Sequence, residues 1–316
     1  MRRSFLALGL ANSLLWSIYL LLTRHVVSGL ALDAWAYTLV QLLAAGLVLL
    51  ALGHRAPGSW RALLAPWTVA YAFLRVGING ATSAALVWLA ITQSTLISTV
   101  SVVIGALSGW VLSRQAPARR DVPGLLLLAG GILGFAALLA PAAGRGILWL
   151  LASESMAVAG SWMIAAHPRN RSTDLAARSR FTGEILVAAS LALIVVWSVL
   201  GLAGAMASPW AGGGDAFGRP ELWLWAALAG LLFRAPGTWL GFWTIHRTGV
   251  QTYLVALAAM PFFAIALEAG ASALGWVSSP RLSPAEWAAA GVILAGVVWL
   301  IAARLRGAAP QPNVRR

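Results

Sequence analysis

Three ionisable residues, Arg75, Glu154 and Arg234, stand inside long apolar runs of the chain. A charge at the centre of a bilayer costs about 2.5 to 3.5 kcal/mol even on the most lenient insertion scale, so such residues face a cavity or a partner. A guanidinium presents a planar fork of donors that matches a carboxylate or a phosphate, which makes Arg75 and Arg234 candidates for recognising an anionic group. The alternative for both is an internal ion pair or a bond to exposed carbonyls. Glu154, flanked by Ser153 and Ser155, is the complementary candidate: a carboxyl that carries a proton or holds a substrate ammonium. Its alternative is a permanent salt bridge to Arg75 or Arg234.

Neutral groups that could complete a polar cavity are Asn12, Gln41, Tyr71, Asn79, Ser98, Gln251 and Tyr253, although each could equally bond a neighbouring helix. Trp16, Trp162, Trp239 and Trp243 fall within predicted spans. There they could stack on a flat substrate or a cation, or simply pack between helices. Pro261 removes a backbone hydrogen bond in mid-run and predicts a kink, acting as a gate or as a static bend. Glu184 and Glu268 read as interfacial. Other chemistry finds few residues. The chain has no cysteine, all 22 basic residues are arginine, and His25, His54, His167 and His246 lie near helix ends. No metal or cofactor site is expected. No Walker motif is present, which argues against ATP-driven transport by this chain. The runs hold no mid-membrane His, Cys, Asp or Lys, which argues against an enzyme.

The elements that must position these residues follow from composition. The 316 residues are 60% hydrophobic and only 10% charged, with a mean hydropathy of +0.83, against roughly 25% charged residues in soluble domains. An all-α integral membrane protein is expected. The net charge of +13 would suggest nucleic acid in a soluble chain, but here the arginines lie between apolar blocks, so the bilayer is the expected partner and nucleic acid is not. A span needs about 20 apolar residues. Ten candidates are legible, at residues 5–22, 34–52, 66–90, 91–113, 122–140, 147–166, 185–202, 222–244, 249–274 and 287–303. The polar patch Thr92, Gln93, Ser94 and Thr95 is taken as the tight turn dividing the third from the fourth. At about 1.5 Å per residue, Arg75 lies roughly 14 Å into its helix and Arg234 roughly 18 Å into its own, both near the midplane.

Sixteen arginines fall on the side of the N-terminus, and four, Arg24, Arg145, Arg219 and Arg281, on the other. That bias predicts both termini in the cytoplasm of a multi-pass cell (inner or plasma) membrane protein. Arg2 and Arg3 before an apolar run imitate a signal peptide, but nine further spans follow, so an uncleaved first helix is expected. Trp35, Trp60, Trp67, Trp110, Trp210, Trp223, Trp276 and Trp287 suit an interfacial aromatic belt. Residues 209–220 read as a flexible external linker and residues 307–316 as a disordered tail.

The cut near residue 142 yields two five-helix halves, 1–142 and 143–306, and an odd number per half forces opposite orientations: an inverted repeat with its site near the midplane. The fifth helix, with Gly130, Gly131 and Gly134, and the tenth, with Gly291 and Gly296, both suit close packing. Asn12-Ser13 in the first helix and Ser153-Glu154-Ser155 in the sixth stand at similar depths. On these halves the chain resembles the EamA-type ten-helix members of the drug/metabolite transporter superfamily. Trp16-Ser17 stands where that family often has Trp-Gly. The hydroxyl-rich run Ala90, Thr92, Ser94, Ser98, Ser101, Gly105 resembles its fourth helix. Leu254 to Met260 followed by Pro261-Phe262-Phe263-Ala264 resembles its ninth, and Arg281-Leu282-Ser283-Pro284 the link into its tenth. The chain departs from the family at Ser113-Arg114-Gln115 and Ser278-Ser279-Pro280, where a Gly-Glu pair is frequent, and at Gln41, where arginine is often seen.

The resemblance implies a secondary transporter that exports or exchanges a small polar metabolite such as an amino acid by alternating access, with the ninth helix lining the cavity. The expected substrate site is Asn12, Trp16, Arg75, Asn79, Ser98, Glu154, Trp162, Arg234, Trp239 and Tyr253, with Pro261 as gate and protons as a coupling ion. The alternatives are a lipid-related flippase and a non-transporting accessory protein.

Overall fold

The computed structural model describes residues 2–58, 63–114, 116–139, 141–167, 169, 174–202, 214–278 and 282–306. The tail at 307–316, residues 209–213 of the expected 209–220 linker, Trp60, Arg61, Gln115, Arg171 and the 279–281 link lie outside the described residues, while 214–218 of that linker form a short 3-10 helix. Among those described there are thirteen α-helices and no strand. They are α1 (Arg2–Arg24), α2 (Ala34–Leu52), α3 (Pro66–Trp88), α4 (Ile91–Ser98), α5 (Val100–Ser113), α6 (Val122–Leu138), α7 (Gly144–Ala166), α8 (Leu175–Leu202), α9 (Pro220–Ala229), α10 (Ala235–Thr248), α11 (Val250–Leu257), α12 (Met260–Ala273) and α13 (Pro284–Arg306). A π-helical segment, His25–Gly29, extends α1, and another, Gly230–Arg234, joins α9 to α10. With α4–α5 and α11–α12 each forming one broken rod, the thirteen helices make ten rods.

Among the described residues seven segments are long and apolar enough to cross a membrane. The α3 rod and the α9–α10 rod are not among them, and these two carry Arg75 and Arg234. The α6 helix is apolar but short. Large apolar side chains face outward along the rods, among them Leu47, Phe73, Val111, Leu126, Leu133 and Val195. Such a surface suits lipid and not water. Trp67, Trp110, Trp223, Trp276 and Trp287 are also exposed. The chain has the character of a multi-pass membrane protein.

Several boundaries differ from those expected. The turn between the third and fourth rods lies at Leu89–Ala90, and Thr92 to Thr95 are inside α4. Their polarity serves the new helix start: the Gln93 side chain accepts from the Ala90 N–H at 3.0 Å, and the Glu268 carboxylate accepts from the Ile91 and Thr92 N–H groups at 3.1 and 2.8 Å. Four N–H groups at a helix start lack intrahelical partners, and these acceptors satisfy three of the amides there. Glu268 is therefore a buried capping residue and not an interfacial one. Glu184 is also buried, because α8 begins ten residues before the apolar run and brings it between Arg180 at 3.0 Å and Arg169 at 3.5 Å. Hydropathy alone misses a polar first turn held by ion pairs.

Two rods break at matching places. In α11–α12 the tightened bonds Ala259 N–H to Ala256 O and Phe262 N–H to Ala259 O, both 3.2 Å, replace the regular ladder, and Pro261 has no N–H to give Leu257. In α4–α5 no proline is present; the Thr99 hydroxyl donates to Leu96 O at 2.7 Å and the Thr95 hydroxyl to Ile91 O at 2.9 Å. Such back-bonding bends helices.

The closest packing pairs α2 with α8, α3 with α7 and α6 with α13. At the last of these a Cβ on Gly296 would lie 3.0 Å from Gly124 O, and one on Gly131 would lie 3.0 Å from Ile293 N. Small residues thus permit backbone contact at Gly131 and Gly296, whereas a Cβ on Gly130, Gly134 or Gly291 would meet nothing within 4 Å, so these three of the five glycines expected to serve close packing do not. Rod α1 lies along α11–α12, tied by Ser13 Oγ to Ala256 O at 2.8 Å and Ser17 Oγ to Met260 O at 3.2 Å. Rod α7 packs on both halves of the α4–α5 rod.

Candidate functional site

A central cavity with about 1080 Å³ of empty space, part of it in an open mouth, lies among α1, α3, α4–α5, α7, α10 and α11–α12. Its lining runs from Leu20, Thr82 and Thr95 to Ile164 and Ile245, near the ends of α7 and α10. Beyond Leu20 and Thr82, Val26, Leu86, Leu89 and Ile91 are fully buried and close that end of the bundle.

One wall is cationic. Arg75, midway along α3, donates from Nη2 to Thr238 Oγ1 at 3.2 Å and lies 5.7 Å from the Phe242 ring centroid. Arg234, the last residue of the π segment, is only 2% exposed. Its guanidinium sits 4.7 Å over Trp16 and 5.3 Å over Tyr19. Such cation–π contacts offset part of the desolvation of a buried charge. The Nε atoms of both arginines are buried with no acceptor. Neither arginine has a carboxylate within ion-pair distance among the described residues.

The opposite chemistry stands on the α5–α7 side. The Glu154 carboxyl lies beside the Ser98 and Ser101 side chains where the α4–α5 rod breaks. Ser153 Oγ bonds Ile78 O at 2.8 Å and Thr82 Oγ1 at 2.7 Å, fixing α7 against α3 one residue before Glu154. The permanent salt bridge from Glu154 to Arg75 or Arg234 is not formed. Aromatic rings, those of Trp16, Tyr19, Tyr71, Phe242 and Tyr253, complete the lining.

Of the ten residues expected at the substrate site, Trp16, Arg75, Asn79, Ser98, Glu154, Arg234 and Tyr253 line this one cavity. Asn79 also donates to Arg75 O, holding the backbone one turn below it. Asn12 is fully buried behind the wall, beside the Tyr253 hydroxyl, with neither amide atom in a well-formed hydrogen bond. Trp162 and Trp239 are not brought to the cavity. Trp162 turns its Nε1–H to Ser108 Oγ at 3.0 Å, and Trp239 stacks on Trp243 beside a small separate pocket with Arg178 and Thr182. Depth along a helix located these tryptophans, but the side of the helix decided their role. Gln251 donates to Gly105 O, and Gln41 is buried away from the cavity. Pro261 is buried at the start of α12, next to the lining residue Met260. The sequence reading missed Tyr19, Thr82, Ser161 and Thr238. Thr238 was legible as the residue one helical turn after Arg234, and Thr82 as the residue one turn after Ile78 on the face of Arg75. Among the described residues no cluster of His, Cys, Asp or Glu could hold a metal.

No protein-family model and no curated protein matches the chain. The fold does have relatives, since 28 solved chains are similar to it. One, a crystal structure of a protein, aligns over 95% of this chain and 99% of its own with a TM-score of 0.60 at 20% identity. At that identity the likeness speaks for the fold alone.

Proposed function

We propose that the protein is a secondary transporter of a small polar metabolite, working by alternating access between two inverted five-helix halves. One observation carries the reading: a single central cavity, walled by rods from both halves, concentrates Arg75, Arg234 and Glu154 in an otherwise apolar bundle. Charged groups inside a membrane bundle mark substrate or ion pathways. The pairing of rods supports the repeat. Rod α1 lies on the broken α11–α12 as α7 lies on the broken α4–α5, while α2 with α8 and α6 with α13 join the halves. Broken helices beside a midplane site are the usual construction of such carriers. This pattern supports the likeness to the EamA-type transporters. The arginine bias predicts the termini in the cytoplasm of the cell membrane. An amino acid is the substrate class implied by the resemblance; its carboxylate would lie against the arginines and its ammonium toward Glu154.

The test is flux of an amino-acid and organic-anion panel in proteoliposomes, with and without an imposed proton gradient. Wild-type flux of at least one compound, lost in folded Arg75→Gln, is the expected outcome. Flux unchanged in Arg75→Gln removes the arginine from the site. No flux of any compound from folded protein favours the flippase or accessory role.

A further inference from the structure

We infer that the cavity selects small organic dianions, a phosphate monoester or a dicarboxylate, whose two negative charges bridge Arg75 and Arg234. The inference rests on reading this cavity as a substrate site, and it puts a dianion in place of the zwitterionic amino acid that the resemblance implies.

Two guanidiniums share the cavity. Arg75 is bonded to Thr238, and Thr238 stands four residues after Arg234, about 6 Å along the same helix. Like charges this close in a low-dielectric bundle repel and lose hydration, so they call for compensation. The buried carboxylates nearby are engaged elsewhere. Glu184 is held by Arg169 and Arg180, Asp121 by Arg304, and Glu268 by the amides that start α4. Glu154, the remaining acid of the cavity, is turned to Ser98 and Ser101. Trp16 and Tyr19 lie together on one side of the Arg234 guanidinium, edge to face with each other, and its buried Nε–H has no acceptor, so its N–H donors remain for an oxyanion, which a guanidinium takes in a fork. A monoanion leaves one of the two charges uncompensated, and a zwitterion adds no net charge. A dianion matches both. The hydroxyls of Thr82, Thr95 and Ser161 can then receive a polar remainder, and Tyr71 and Phe242 an apolar one.

Binding to the purified full chain in detergent tests this, read by thermal shift and by intrinsic fluorescence, to which Trp16 under Arg234 contributes. The probes are phenyl phosphate, succinate, benzoate and phenylalanine. At least one of the two dianions is expected to bind about tenfold or more tighter than benzoate and phenylalanine, and the one that does separates phosphate from dicarboxylate recognition. Arg75→Gln and Arg234→Gln should each cost about tenfold in dianion affinity, the worth of one charged hydrogen-bonding partner, and erase the preference over benzoate. Should Arg234→Gln fail to fold, the half-buried Arg75 gives the deciding variant. Equal binding of benzoate or phenylalanine, preference retained in the variants, or no binding of any probe to folded wild type overturns the inference. Dianion binding without flux in proteoliposomes would overturn the transporter reading and leave this one standing, whereas phenylalanine flux without dianion binding would do the reverse.

Discussion

Arg24 and Glu268 hold the two sides of one turn. Arg24, at the end of α1, donates from Nη1 to the carbonyls of Leu86 and Leu89, which end α3, while Glu268 on α12 accepts from the Ile91 and Thr92 amides, which start α4. A cation at a helix C-terminus and an anion at a helix N-terminus each suit the local dipole, and the two side chains also feel each other's charge. The clamped turn, Leu89–Ala90, is buried at the closed end of the cavity. Opening that end would require α1 and α12 to release it.

Releasing one side of the clamp should therefore open the closed end. The chain has no native cysteine, so a single Ala90→Cys reports the exposure of the turn to a membrane-impermeant maleimide. Adding Glu268→Gln removes a charge-assisted cap worth about 1 to 2 kcal/mol, which predicts labelling faster by about tenfold. Labelling at the parent rate would show that apolar packing around Leu86 and Ile91, and not the clamp, keeps the end shut.

Glu154→Gln should keep the shape and the place of the side chain beside Ser98 and Ser101 but can no longer exchange a proton. Downhill flux in proteoliposomes is then expected to persist while its response to a proton gradient disappears. A variant that still follows the gradient would assign coupling to another group.

The sequence made the rods legible because apolar runs report burial in lipid directly. It also made Arg75, Glu154 and Arg234 legible, because a charge in such a run is conspicuous whatever it touches. What stayed hidden was rotational. Thr238 and Trp239 are neighbours at one depth, yet Thr238 accepts from Arg75 in the cavity while Trp239 stacks on Trp243 outside it. Runs that are apolar all round carry little phase information, so the facing side of a helix does not follow from them. The roles of Glu268 and Glu184 were hidden for a different reason, since both depend on partners distant in sequence, the α4 amides for one and Arg169 for the other.

His167 lies just beyond α7, outside the spans, with its ring stacked on Phe181 at 4.4 Å and its Nδ1 accepting from the Arg169 N–H at 3.3 Å. An accepting Nδ1 requires the neutral ring. Burial first, and the Arg169 charge second, hold it below the ordinary histidine range near 6.5. The folded state thus binds fewer protons than the unfolded state once the pH approaches 6.5 from above, so stability falls as the pH drops through that value. Thermal melts at pH 7.5, 6.5 and 5.5 should show a loss that is smaller in His167→Gln. Parallel pH profiles for the two proteins would show that the ring does not titrate between these conditions.

Gly249 joins α10 to α11 at φ 81° and ψ 162°, a conformation essentially reserved for glycine. A Cβ there would meet no atom within 4 Å, so Gly249→Ala tests backbone strain alone, at an expected cost of about 1 to 3 kcal/mol. Gly270 provides the control, because it is helical and its Cβ would also meet nothing. Replacing a helical glycine by alanine is stabilising by up to about 1 kcal/mol. The melting temperature should therefore fall in Gly249→Ala and hold or rise in Gly270→Ala. Because the single-residue turn at Gly249 sets the angle at which α11 carries Tyr253 into the cavity, Gly249→Ala should also weaken substrate binding. Gly270→Ala should leave binding unchanged. Equal melting temperatures in the two variants would mean that the turn relaxes into another conformation at no cost.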